Sequence, residues 1–282
     1  MIFDRNENLP VVALLGAGAM GTAIVRRIAN GKQILLGDIS EKNLQTVAHD
    51  LAASGYEVDT QPVDALDRAS VEAFAAKAAS LGEVRYFIDT AGASPNQSSA
   101  EHIVALDLVA TAMAIDVFGG VIARGGAGLV ISSQAGHMMR LSEKVERQLA
   151  LTPTEELAEL DFVKHDAVAN SGVAYMVAKR ANHLRVRTAA ATSWGDRGAR
   201  INTISPGIIV TPLAYDEFRA AGEGYQAMID ASPARRVGTS DEIAAAGAFL
   251  LGEQAAFITG TDLLIDGGVI AAINADRFTM GG

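Results

Sequence analysis

Val11-Val12-Ala13-Leu14-Leu15-Gly16-Ala17-Gly18-Ala19-Met20-Gly21 carries five apolar residues into a loop punctuated by glycines, and an amphipathic stretch follows to about Ala29. So short a run cannot span a bilayer; it suits a strand buried on both faces. Glycines at 16, 18 and 21 have the GxGxxG spacing, and their place between a strand and a helix is the context that spacing requires. Such glycines allow a tight turn and let a pyrophosphate approach amides at the helix N-terminus, where the dipole favours anions. Because glycine fills 28 of 282 positions, the position after the first strand carries the argument more than the pattern does. Gly16, Gly18 and Gly21, with Met20 inside the loop, are candidate cofactor contacts.

Outward from this loop, short apolar runs alternate with alanine-rich amphipathic stretches. Strands are expected at Gln33 to Gly37, Tyr56 to Val63, Val84 to Asp89, Gly128 to Ser132, Arg200 to Ile204 and Asp262 to Ile265. Helices are expected at Glu41 to Ala53, Ser70 to Ser80, His102 to Ile122, around Tyr175, and at Asp241 to Leu251. Seven strands in this rhythm imply an α/β fold of the Rossmann type, a doubly wound parallel sheet with helices on both faces and ligands at the strands' carboxyl ends. Asp38 closes the second strand 22 positions after Gly16, where a carboxylate can accept hydrogen bonds from adenosine ribose hydroxyls and repel a 2′-phosphate. NAD is the expected cofactor. Arg26 and Arg27 lie beyond the glycine loop and read as surface charges.

Composition narrows the function. At 282 residues, one large α/β domain over 1–282 is expected. The formal charge of −10 opposes phosphate backbones and anionic membranes, so neither nucleic acid nor membrane is an expected partner. With no cysteine, thiol catalysis and thiolate metal sites are excluded. Met1 to Pro10 is polar and acidic, unlike a secretory signal, and a cytoplasmic location is expected.

Tyr175 and Lys179 stand four apart, on one face of a helix. A phenol with a pKa near ~10 becomes a useful base only near ~7, and an ammonium ~4 Å away at an effective dielectric of ~20 supplies roughly that difference. Ser133 follows the fifth strand, where a hydroxyl can hold a substrate oxygen.

Thr90-Ala91-Gly92, Ser132-Ser133-Gln134-Ala135-Gly136, the Tyr175/Lys179 pair, Ser205-Pro206-Gly207-Ile208-Ile209-Val210-Thr211-Pro212 and Asp266-Gly267-Gly268 occur in an order that resembles the short-chain dehydrogenase/reductase family over about residues 9 to 270. The resemblance implies that Tyr175 is the general acid/base, that Lys179 lowers its pKa and holds the nicotinamide ribose, and that Ser133, followed by two residues and a glycine, orients substrate. The expectation for Ser132 is a side chain turned into the sheet. The resemblance further implies that Thr211 contacts the cofactor, Pro206-Gly207 walls the nicotinamide, Asp64 lies beside the adenine, and Ala91 and Gly92 turn against the adenosine. Homodimers or homotetramers, built through two long helices and the last strand, are implied as well.

Three departures stand out. Met20 and Thr22 occupy two places where the family's loop has glycine, Asp107 stands where many members have an asparagine that supports a proton relay, and Asp89-Thr90 replaces two asparagines. Asp107 is carried as a catalytic candidate that could disturb a local helix kink, or as an ordinary helix acid. Ser133 and Tyr175 are 42 positions apart where most members have a short loop, so 137–170 is an insertion. Two short amphipathic helices are expected there, either as a lid shaping an apolar pocket or as a cover on the body or an interface. His49, His102, His137, His165 and His183 show no metal-ligand spacing, and His183 reads as a helix surface residue; no metal is expected. The sequence thus points to an NAD-dependent dehydrogenase or reductase of a hydrophobic secondary alcohol or ketone of steroid, terpenoid or fatty type. The alternatives are a catalytically impaired NAD-binding regulatory or scaffold protein, and a sugar-nucleotide epimerase or dehydratase.

Overall fold

The alternation of side chains along the first strand, β1 (Val11–Leu15), sets the two-sided core. Val11, Ala13 and Leu15 join one buried cluster with Phe74, Phe87, Phe118 and Trp194. Val12 and Leu14 point the other way, into a cluster with Ile24, Ile34, Leu36 and Ile243. A strand buried on both faces belongs in the middle of a parallel sheet, and there the computed structural model, which describes residues 9–211 and 222–278, places it.

Strands β2 (Gln33–Asp38), β3 (Glu57–Pro62), β4 (Val84–Asp89), β5 (Ala127–Ile131), β6 (Arg200–Pro206) and β7 (Asp262–Ile265) complete a seven-stranded sheet of order β3-β2-β1-β4-β5-β6-β7. Every pairing is parallel. The order reverses between β1 and β4, so a crevice opens at their carboxyl ends. Around the sheet lie α1 (Ala19–Ile28), α2 (Glu41–Ala53), α3 (Arg68–Leu81), α4 (Ala100–Gly119), α5 (Glu143–Leu151), α6 (Asp161–His165), α7 (Ser171–Ala191), α8 (Gly222–Ala231), α9 (Ser240–Leu251) and α10 (Val269–Asn274). The expected strands and helices recur within a few residues of these bounds. Among the described residues, α4 is a helix long and apolar enough to cross a membrane, but 67% of its apolar window is buried inside the fold.

Helix α4 differs from the regular helix expected at His102 to Ile122. Val104–Ala110 winds as π-helix, with Asp107 in its first turn and fully buried. A π-turn leaves carbonyls without their usual partners and tends to mark a functional position.

The segment 137–170 contains α5, a 3₁₀ turn at Thr154–Glu159, and α6. Ser142 caps α5 by accepting from the Val145 amide. Leu149, Leu157, Val163 and Ala167 are at most 1% exposed and pack against Ile103, Val104 and Leu108 of α4 and Ala174, Val177 and Ala181 of α7. Arg180 of α7 clasps Glu146 of α5 at 2.6 Å, and Arg185 Nη1 donates to Thr152 O. The insertion's apolar face is thereby spent on the outer side of α4 and α7.

Candidate active site

The glycine loop divides its labour by position. Gly16 has φ +83°, and a β-carbon there would lie 2.6 Å from Ala91 N, so only glycine permits β1 to turn this close to the loop after β4. At Gly21 a β-carbon would meet Leu14 at 2.7 Å and Thr90 at 2.9 Å, which ties α1 to the sheet. At Gly18, the residue capping α1, a β-carbon would meet nothing within 4 Å. That open space at a helix N-terminus fits a pyrophosphate. Thr90 Oγ1 donates to Gly16 O, fixing the loop against β4.

Asp38 ends β2 beside this loop. Its carboxylate accepts from Ala17 N at 2.9 Å, Ser40 N at 2.8 Å and Asn43 Nδ2 at 3.0 Å. The acid therefore braces the glycine loop as well as presenting charge to the crevice. Arg26 pairs with Asp50, and Arg27 lies 3.8 Å from Asp241, so both arginines are engaged away from Asp38. Asp64, exposed just after β3, accepts from Leu66 N.

A cavity of about 480 Å³ opens beside the carboxyl ends of β5 and β6. Ser133, Tyr175, Pro206, Gly207, Thr211 and Met20 line it, which brings six sequence candidates to one space. Pro212 lies outside the described residues. Sequence reasoning missed Tyr225 and Met228 of α8, which also line it, with Met138 and Met176. Helix α8 was not among the expected elements, and nothing in its spacing marks these two residues. Among the described residues no charged side chain lines the cavity, and the wall they form is predominantly apolar. From the insertion the cavity takes only Met138.

The two adjacent serines have different partners. Ser133 Oγ caps a short 3₁₀ turn, accepting from Ala135 N, and faces the cavity half-exposed. Ser132 is 4% exposed and donates to the Lys179 carbonyl at 2.9 Å. It thereby fastens the end of β5 to α7 one turn below Tyr175. Gly136 makes this close contact possible, since a β-carbon there would lie 2.7 Å from His183 and 2.9 Å from the Lys179 carbonyl carbon.

Below the cavity, Lys179 Nζ lies 5.2 Å from the Tyr175 ring centroid and 2.7 Å from Asp107 Oδ1. Burial is the largest single influence and disfavours the ammonium, but Asp107, Tyr175 and Asp89 together outweigh it, and the Lys179 pKa rises above its ordinary value. Asp107 Oδ2 accepts from Ala93 N at 2.9 Å. Asp107 is thus a partner of Lys179 held in the site, and the reading of it as an ordinary helix acid is corrected: the π-turn aims it inward. Asp89, also buried, is pushed up to about 7 by burial, against the Ala91 amide and Lys179, which favour its charge.

His183 is likewise not a surface residue. It is 3% exposed because Ser132, Ser205 and Asp262, from three strands distant in sequence, surround it. Ser132 and Ser205 spend their protons on Lys179 O and Asp262 Oδ1, so His183 Nε2 must be the donor to both. Burial holds its pKa down to about 4, which agrees with a neutral ring. His137 completes the group, 2.7 Å from Asp262 Oδ2. His137, His183 and Asp262 offer donor atoms within 4.8 Å of one another, a through-space cluster that spacing along the chain could not reveal. Thr203 also donates to Asp262 at 2.6 Å, so its carboxylate is engaged by hydrogen bonds inside the protein, and its pKa falls despite burial.

A family model described as enoyl-(acyl carrier protein) reductase matches residues 16–270. The chain is 40% identical over 268 residues to the short-chain dehydrogenase/reductase bsc3 of Alternaria brassicicola, covering 94% of this chain and 97% of that protein. It is 30% identical over 190 residues to a 3-alpha-hydroxysteroid dehydrogenase/carbonyl reductase of Comamonas testosteroni, covering 67% and 73% of the two chains. A solved short-chain dehydrogenase/reductase from Serratia marcescens superposes with a TM-score of 0.73 at 22% identity, over 94% of this chain and 99% of that one.

Proposed function

The chain belongs to the short-chain dehydrogenase/reductase family of oxidoreductases, which act on alcohols and ketones with a nicotinamide cofactor, and we propose that it is an NAD-dependent dehydrogenase or reductase of a hydrophobic secondary alcohol or ketone. The observation that carries this reading is the convergence of Ser133 and Tyr175 on one largely apolar cavity, with Lys179 directly beneath the tyrosine.

When bound, the nicotinamide supplies the hydride acceptor or donor. In the oxidation direction, the Tyr175 phenolate takes the hydroxyl proton, and Ser133 Oγ holds the reacting oxygen in place. Lys179, kept charged by Asp107, stabilises the phenolate. Reduction runs the same proton back from the phenol to the carbonyl oxygen. The apolar wall of methionines, Ile208 and Ile209 favours a substrate body without charge and excludes water from the transfer.

The choice of NAD rests on Asp38, whose carboxylate would repel a 2′-phosphate while Arg26 and Arg27 are engaged elsewhere. Gly16, Gly18, Met20 and Gly21 would hold the pyrophosphate side; Asp64, Ala91 and Gly92 the adenosine; and Lys179, Pro206, Gly207 and Thr211 the nicotinamide end. The insertion 137–170 acts as a cover on α4 and α7 that reaches substrate only through Met138. With that face occupied, self-association as a homo-oligomer in the cytoplasm would use the edge of β7, near which Phe257 is fully exposed. An impaired nucleotide-binding scaffold would have no use for a serine and a tyrosine converging on one cavity.

Tyr175→Phe tests the reading. The variant should bind NAD with unchanged affinity and lose at least a thousandfold in turnover against a panel of hydrophobic secondary alcohols. Near-native turnover would refute it.

A further inference from the structure

The Tyr175–Lys179 pair is not electrostatically alone. Asp107 is 0% exposed, and both of its carboxylate oxygens are fixed, one 2.7 Å from Lys179 Nζ and the other on the Ala93 amide. Gly92 seals the pair from the loop side, since a β-carbon there would lie 2.8 Å from Asp107 Oδ1 and 3.4 Å from Lys179 Nζ. The Asn182 amide, in the orientation that gives both its ends partners, donates to Asp107 O at 3.0 Å and Ala178 O at 3.1 Å, locking the π-turn onto α7. Asp107 therefore stays where it is. Among the described residues, the ionisable groups around the phenol are Lys179 from its own helix, Asp107 from α4, Asp89 from the end of β4, and Tyr225 from α8 across the cavity.

We infer that Asp107 is a restraining residue: by neutralising most of the Lys179 field at Tyr175, it keeps the phenol a weaker acid than a lone lysine would make it, so proton release from substrate is governed by an acid–lysine–tyrosine triad. Asp89 adds a second negative charge to the same group as pH rises through the neutral range. The inference rests on Tyr175 being the acid/base. A unit charge about 8 to 10 Å away at an effective dielectric of about 20 changes a proton equilibrium roughly 15- to 30-fold, and screening leaves about tenfold. Removing Asp107 also relieves like-charge pressure on Asp89, whose carboxylate then favours the charged form of Lys179.

Asp107→Asn, which retains an acceptor for the Ala93 amide, is the test. The Tyr175 ionisation is read by ultraviolet difference titration against the matching Tyr175→Phe protein, without cofactor or turnover. The phenolate fraction below the midpoint should be about tenfold higher in Asp107→Asn than in wild type, and the limb of kcat/KM for alcohol oxidation should move to lower pH by the same factor. A folded variant with an unchanged titration, or one shifted to higher pH, overturns the inference. If Asp107→Asn does not fold, Asp89→Asn read above pH 8 should give about a threefold shift in the same direction, and no shift there overturns it equally. The catalytic reading fails separately, if Tyr175→Phe keeps its turnover.

Discussion

Leu157→Ala separates a structural cover from a substrate lid. Leu157 sits in the 3₁₀ turn of the insertion with no exposed surface, in the apolar cluster that joins 137–170 to α4 and α7. Truncating a fully buried leucine costs about 2 to 5 kcal/mol, less where the wall can collapse. Its neighbours Leu149 and Val163 belong to short elements near the surface, which can settle inward, so about 3 kcal/mol is expected. With an unfolding entropy of about 2.1 cal/mol/K per residue, the 282-residue chain gives roughly 0.6 kcal/mol/K, so Tm falls by about 5 °C.

Thermal unfolding measures that loss, and kcat/KM for a bulky and a compact secondary alcohol measures selectivity. As the cavity takes only Met138 from the insertion, the selectivity ratio should stay within about twofold. Met138→Ala should do the reverse, changing the ratio by about 10-fold through lost apolar contact while leaving Tm within a degree or two. A Leu157→Ala protein of native Tm whose selectivity has moved tenfold would refute the cover reading.

Gly136→Ala should lower turnover at least tenfold and destabilise by about 2 kcal/mol, because its β-carbon must push His183 and the backbone of Lys179 away from the Ser133 turn; steady-state kinetics and denaturant melts check both. Asp38→Asn should weaken NAD by about tenfold and narrow its preference over NADP, since the repelling charge goes while the Ala17 acceptor remains; equal loss for both cofactors would remove Asp38 from the specificity argument. Asp89 has a folded pKa of about 7, above its ordinary 3.8, so its contribution to stability is full below pH 3.8 and is lost as pH rises through 7. Asp89→Asn, which mimics the protonated acid, should therefore match wild type near pH 4 and exceed it above pH 7 by about 1 to 3 kcal/mol in denaturant unfolding. His183 runs the opposite way: its folded pKa of about 4 lies below 6.5, so its contribution is lost as pH falls from 6.5 towards 4. His183→Asn should flatten that acid limb.

What could be read in the chain beforehand was set by neighbours in sequence. The run Val11–Leu15, the glycines beside it and the four-residue step from Tyr175 to Lys179 are local, and period and spacing report local geometry directly. The one misreading, at His183, and the readings left open, at Asp107 and the insertion, concern residues whose partners are far along the chain. His183 looked like a surface residue because the helical neighbours that sequence displays are not what buries it; Ser205 and Asp262 do, 22 and 79 positions later. Asp107 meets Lys179 across 72 positions, and only the π-turn turns its carboxylate towards that lysine. The insertion was legible as amphipathic, but an apolar stripe states that a face is buried without saying against what. These three cases share a cause: the buried ring, the buried charge and the apolar face each depend on a partner supplied by another strand or helix. The contacts least legible in sequence are therefore those of the buried carboxylates Asp107 and Asp89, which shape the field around Lys179: the step from Tyr175 to Lys179 is written in local spacing, whereas the meeting of Asp107 and Asp89 with that lysine is written in none.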